Sequence, residues 1–254
     1  MSLVEFELKP VPETEPWGTA PNLSLHWFGL SDGAYHLELG ASRLLEYASI
    51  EGWPRFVEYQ VARLHEDFIS MLPDTLETVP PEIASQFRNG SLGATVQHLR
   101  EVCAARLEED PAFDLTVEAL AARTLDTGYL SPSAGIWIWS VEGKTVIEWD
   151  NRNRLHEGKA AWTAQVGRHE LSVERYLEEL RSFDRRLMDA MAARVRAAIA
   201  SWTRPEVGLD FDRLEAEQTE RGTWLASAIQ HGRQETDWST VGNVLSRIKS
   251  EGSA

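Results

Sequence analysis

Two histidines and a carboxylate fall close together in the run LSLHWFGLSDGAYHLELG, residues 23–40. The imidazoles of His26 and His36 with the carboxylate of Glu38 make a donor set for a divalent metal or for paired acid–base work. A second concentration lies in EWDNRNRLHEG, where Asp150, Arg152, Arg154 and His156 stand beside Glu148 and Glu157. Acid, guanidinium and imidazole together bind an anion or position a polar substrate. Each cluster also has a plain structural reading, as the wet face of a strand and the tip of a hairpin. No cofactor is expected. The His-Glu of RLHEDF does not extend to the His-Glu-x-x-His of a zinc protease, and Gly-x-Ser-x-Gly, phosphate-cradling and dinucleotide patterns are missing from the sequence.

The first cluster needs a hairpin to position it. Two strands around a five-residue loop from Gly29 to Gly33 would set Trp27 opposite Tyr35 and Leu25 opposite Leu37, an apolar face that fixes register. Gly29 and Asp32-Gly33 would supply the positive φ angles of that loop. On the other face His26 then stands opposite His36, with Glu38 diagonal to it.

Elsewhere, Val4, Phe6 and Leu8 alternate with Glu5 and Glu7 as a strand ended by Pro10, and SRLLEYASI suggests another. From Trp53 the period turns helical: Phe56, Tyr59, Leu64, Phe68 and Met71 share one face, with Pro73 as the stop. Further short helices follow to about Asp126. AGIWIWSVEGKTVIEWD reads as two strands joined by a tight turn at Glu142-Gly143, and AWTAQV as a third. Ser172 is the expected N-cap of a long helix whose apolar positions run from Val173 to Trp202. Two more helices, in DFDRLEAEQTERGTWLASAIQHG and TDWSTVGNVLSRIKS, precede a frayed EGSA. The expected fold is α+β, with N-terminal and central strands in one antiparallel sheet packed by helices. A single domain over 1–250 is the first reading, and two subdomains, 1–130 and 131–250, the alternative.

A net charge of −15 and a pI near 4.9 argue against general nucleic-acid binding and against docking on anionic lipid. They suit a basic protein partner, steered by charge. The single cysteine, Cys103, permits no internal disulfide and is expected as a packed small hydrophobe on a helix. No basic-then-apolar leader opens the chain and no apolar run approaches the ~18 residues of a membrane span, so a cytoplasmic location is the default. Ten tryptophans are many for 254 residues. Most belong in a core, while Trp17 and Trp53, at loop edges, suit a contact surface.

The stretches PWGTAPNLSLHWFGLSDGAYHLELG, VEYQVARLHEDFISMLP and WTAQVGRHELSVERYLEELRSFDRRLMDAMAARV, with a final TDW, resemble an uncharacterised, mainly actinobacterial family of unknown function. The Trp-Phe-Gly-Leu-x-Asp-Gly core, here Trp27 to Gly33, is the most specific part of that likeness. The resemblance implies one domain across nearly the whole chain and carries over no activity, cofactor or catalytic residue. The functional expectation is a protein-binding module, most concretely a cytoplasmic immunity protein that covers a bacterial toxin. An enzyme of unrecognised, metal-dependent type working through one of the two clusters is the alternative.

Overall fold

The computed structural model describes residues 2–105, 109–231 and 235–251. Of the tail expected to fray, residues 251–254, Glu251 closes the last helix and 252–254 lie outside them, as does the stretch 106–108 of one expected helix. In chain order the strands and helices are β1 (Val4–Leu8), β2 (Leu23–Leu25), β3 (Asp32–Leu39), β4 (Ser42–Leu44), β5 (Val57–Gln60), α1 (Val61–Leu76), α2 (Pro81–Ala84), α3 (Leu92–Ala105) and α4 (Pro111–Ala121). There follow β6 (Ile136–Val141), β7 (Lys144–Asp150), β8 (Leu155–His156), β9 (Lys159–Ala160), β10 (Val166–Ser172), α5 (Val173–Ala200), β11 (Val207–Leu209), α6 (Phe211–Arg221), α7 (Trp224–His231) and α8 (Trp238–Glu251). The class is α+β, as expected. The N-terminal and central strands do not share one sheet, however: they fall in a four-stranded sheet, a three-stranded sheet and the two-stranded pairs β2–β11 and β8–β9. Among the described residues no helix is long and apolar enough to cross a membrane.

The chain divides into two compact units, each discontinuous in sequence. The first gathers residues up to Ser70, Trp162–Ala164 and Leu177–Gln230; the second gathers Met71–Ala161, Gln165–Tyr176 and the chain from His231.

In the first unit β3 is the central strand. Antiparallel β1 runs along one side of it, while β5 pairs with Asp32–Tyr35 and β4 with Leu37–Leu39 on the other. Tyr35, Leu37 and Leu39 alternate inward, and α5 meets the core with Leu180, Phe183, Leu187, Met191 and Val195 at helical spacing. Phe183 sits edge-on to Phe6, His65 and Phe68. Ser172 caps α5 as expected, accepting from Arg175 N at 3.1 Å.

The hairpin expected around Gly29–Gly33 does not form. Leu23–Leu25 pairs in parallel with Val207–Leu209, and Gly29–Ser31 is a 3-10 turn leading into β3. Neither Gly29 nor Gly33 has a positive φ. Gly33 is required for another reason: a Cβ there would stand 2.3 Å from the carbonyl oxygen of Glu7 on β1. The helix expected from Trp53 also begins later, because Val57–Gln60 pairs with β3 before α1 starts. Pro73 lies inside α1 and does not end it. Buried Leu72 and Leu76, and Thr75 donating to Ile138 O at 3.3 Å, hold the last turn against the local preference of proline.

In the second unit β6 and β10 flank β7. Glu142 and Gly143, both at positive φ, make the expected two-residue turn. The third strand of this meander starts at Val166, later than expected, because Ala161–Gln165 is spent bringing Trp162 to stack on Tyr47 in the first unit's own sequence set. Trp137, Trp139 and Val146 form one core with Leu92, Val96 and Leu99 of α3, Phe113 and Leu120 of α4, and Val241, Val244 and Leu245 of α8. Cys103 continues the helical spacing of Leu92, Val96 and Leu99 but is exposed near the end of α3, which corrects the expectation that it is packed. The first turn of α3 is closed by Ser91, whose Oγ accepts from Ala94 N, and by Glu148 of β7, which accepts from Gly93 N at 2.5 Å and Ser91 Oγ at 3.1 Å. Glu148 is 5% exposed, and burial, outweighing these donors, raises its carboxyl above the usual range.

Two outcomes follow. Gly33→Ala must open the β1–β3 pairing and should cost on the order of 2–4 kcal/mol in urea unfolding. Glu148→Ala leaves the buried Gly93 N–H and the half-buried Ser91 hydroxyl without this acceptor and should cost about 2–3 kcal/mol. Glu148→Gln keeps an acceptor oxygen and should cost less. Because the folded carboxyl is raised, the native state binds the extra proton, so stability from this group is present below its unfolded pKa of about 4.3 and is lost as pH rises through the folded value. Glu148→Gln should remove that part of the decline.

Candidate functional site

Three strands bring charge to one place in the first unit. Lys9, just past β1, places its Nζ 3.4 Å from Asp32 Oδ2 on β3 and 3.1 Å from Glu58 Oε2 on β5. Burial disfavours the ammonium, but the bond to Glu58 and the two carboxylate charges outweigh it and raise the Lys9 pKa. Arg194 of α5 fixes the backbone beneath, donating to Leu30 O at 2.6 Å and to Lys9 O. Ser31, fully buried, accepts from Ala62 N at 3.1 Å and so ties the 3-10 turn to the start of α1.

A depression of about 300 Å³ opens beside this network, lined by Lys9, Glu15, Trp17, Asp32, Glu58 and Tyr59 among others. Among the described residues its charged lining is three carboxylates against one ammonium. A second depression of about 200 Å³ shares Lys9 and Glu58 and adds Glu7. Trp17 stands at the edge, 46% exposed, although it is the wrong kind of residue to leave in water. Its backbone is held by a pair of bonds to Ser24, and Arg204 donates to Thr14 O at 2.6 Å to anchor the same loop. Chemically, carboxylates beside the faces of Trp17 and Tyr59 suit a guanidinium or ammonium group.

The residues singled out from sequence fall elsewhere. His36 and Glu38 do meet, at 3.0 Å, but Glu38 also accepts from Arg43 Nε at 2.7 Å and His36 stacks on Phe56 at 3.9 Å. The Arg43 bond is the main reason the Glu38 carboxyl lies below its usual range. His26 is not part of that group. It lies edge-on to Trp17 at 4.5 Å and its Nδ1 accepts from Gly29 N at 3.3 Å. Among the described residues no group of three or more His, Cys, Asp or Glu side chains is placed to hold a metal. In the second unit Asp150 is held by Arg152 Nε at 3.0 Å, and that bond is the main cause of its lowered pKa. Arg154 is exposed on the same loop, and His156 lies on β8 opposite Lys159.

The sequence reading marked Trp17 as a contact residue and Asp32 as part of the Trp27–Gly33 run, but it missed Lys9, Glu15 and Glu58. These are lone charges spread over three segments. Pairing of β1 and β5 with β3 joins Lys9 and Glu58 to Asp32, and the Trp17–Ser24 bonds hold the loop that carries Glu15. The protein is thus of mixed α+β class, with an acidic, tryptophan-edged groove on its first unit. The chain belongs to the family of unknown function DUF5984, matched over residues 3–244. No curated protein matches the chain, and no solved structure does.

His26 yields a prediction for this region. Burial, which outweighs the attraction of Glu217 and adds to the repulsion of Arg213 and Arg221, lowers its pKa from the ordinary value of about 6.5. The unfolded state then binds more protons, so the His26 contribution is complete above about pH 6.5 and is lost as pH falls below it. The urea midpoint should drop between pH 7.5 and 5.5, and His26→Asn should shrink that drop relative to the parent chain.

Proposed function

We propose that the chain is a protein-binding module whose acidic groove takes a basic side chain of its partner. The most concrete instance is a bacterial, cytoplasmic immunity protein that covers a toxin. The observation that carries this reading is Trp17, 46% exposed at the rim of a depression that, among the described residues, is lined by Glu15, Asp32 and Glu58 against Lys9. A large exposed aromatic next to uncompensated charge is the composition of an interface anchor. The net charge of −15 supports it, since a negative field speeds encounter with a basic partner.

The test is affinity capture of the tagged chain from its native host, in low and high salt, beside Trp17→Ala and Glu58→Lys variants checked for native unfolding profiles. One near-stoichiometric protein should be retained in low salt, released in high salt, and lost from both variants. Growth arrest by that protein alone, relieved by co-expression of this chain, would establish immunity. Capture of nothing at either salt, or equal capture by both variants, would overturn the proposal.

A further inference from the structure

A second depression, in the other unit, has the opposite chemistry. It measures about 410 Å³, within the range of small-ligand sites. Its floor is apolar and belongs to the core: Phe87, Leu99, Leu245 and Ile248 line it while being 4%, 1%, 6% and 9% exposed. Among the described residues its basic side chains are Arg88, His98 and Lys249, and none that lines it is an aspartate or glutamate, in a chain with 40 acidic residues. One turn along α3, Glu101 Oε2 lies 3.8 Å from His98 Nδ1.

The walls are fixed. Arg88 is held at its backbone by Thr95 Oγ1, which accepts at 2.8 Å while donating to Ser91 O at 2.8 Å. Thr95 is 4% exposed, so the turn that carries Arg88 is tied to the body of α3. On the α8 side Ser246 donates to Gln86 Oε1 at 3.0 Å, and Gly242 lets α8 approach Ile83 so closely that a Cβ would come within 2.8 Å of it. A preformed hollow of this kind loses little entropy on binding.

We infer that this hollow binds a small organic monoanion with an apolar tail. The carboxylate or other acid group meets Arg88 and Lys249, and the tail covers Phe87, Leu99, Leu245 and Ile248. Apolar floor and cationic rim together select this class: a bare inorganic anion leaves the floor wet, and an amine meets the wrong charge. The inference does not rest on the acidic groove of the first unit, and either reading can fail without the other.

The test uses the full chain and the fluorescent probe anilinonaphthalene sulfonate, with octanoate, octylamine and inorganic phosphate as competitors. The expected result is saturable binding of one probe per chain, displaced by octanoate and not by octylamine or phosphate. The double variant Arg88→Gln/Lys249→Gln, both positions being exposed, should keep the parent's urea midpoint and weaken probe binding about tenfold or more. Ser85→Trp, at the lining, should block binding by filling the space. Absence of saturable binding, binding unchanged in the double variant, or displacement as strong by octylamine or phosphate as by octanoate would overturn the inference.

Discussion

The Trp27 indole is fully buried and has one polar atom to satisfy without water. It donates to Gln218 Oε1 at 2.7 Å, and the Gln218 amide passes the bond on to Met188 O of α5 at 3.2 Å. Its ring face carries the Arg221 guanidinium, 4.4 Å from the centroid, and Trp224 covers the same guanidinium from its own ring at 4.4 Å. Arg221 is discharged by Glu66 at 2.6 Å and Glu217 at 2.9 Å. A buried cation without such partners is too costly to keep. One tryptophan therefore constrains α1, α5, α6 and α7 at once, and the 3-10 turn that follows it, with Asp32 at its end, inherits that fixed position.

The second unit solves the same kind of problem with less completeness. Arg123 is fully buried, donates to Glu77 at 2.8 Å and lies 5.0 Å from the Trp238 ring centroid. Glu77 also accepts from Thr236 N and Oγ1, which ties the segment before α8 to the end of α1. Around the three-stranded sheet the indoles are there chiefly for their area: Gly93 and Gly167 leave room for Trp137 and Trp149 where any Cβ would collide with the rings. Glycine here is a packing residue, not a turn residue.

How much of this was legible follows from the range of each interaction. The long helix, its Ser172 cap and the Glu142-Gly143 turn depend on residues within a few positions of each other, and local pattern found them. The neighbours of β3 do not. Alternation in residues 32–39 says that one face is buried, but three different segments supply its partners. Phe56 and Tyr59 fit the helical period of Leu64 and Phe68 as well as they fit a strand, and only the bridge of Phe56 to Glu46 and the pairing of Tyr59 with Gly33 decide between them. The Trp27–Gln218 bond spans 191 residues, beyond any periodicity. The candidate groove was hidden for the same reason, whereas Asp150 and Arg152, two residues apart, announced themselves and proved to satisfy each other.

The discontinuous make-up of the first unit also bears on how the chain is born. Its central sheet is complete once Gln60 has been made, but the helices that bury that sheet, and Gln218 and Arg221 that complete Trp27, lie more than a hundred residues further on. At the pace of translation, about 5–20 residues per second, the sheet waits many seconds at the ribosome with an apolar face and an unpaired indole. The meander of the second unit is finished during that wait. A shortened chain ending before α6 would be synthesised readily and would never close around Trp27, making it a substrate for chaperones and proteases instead of a smaller version of the same protein.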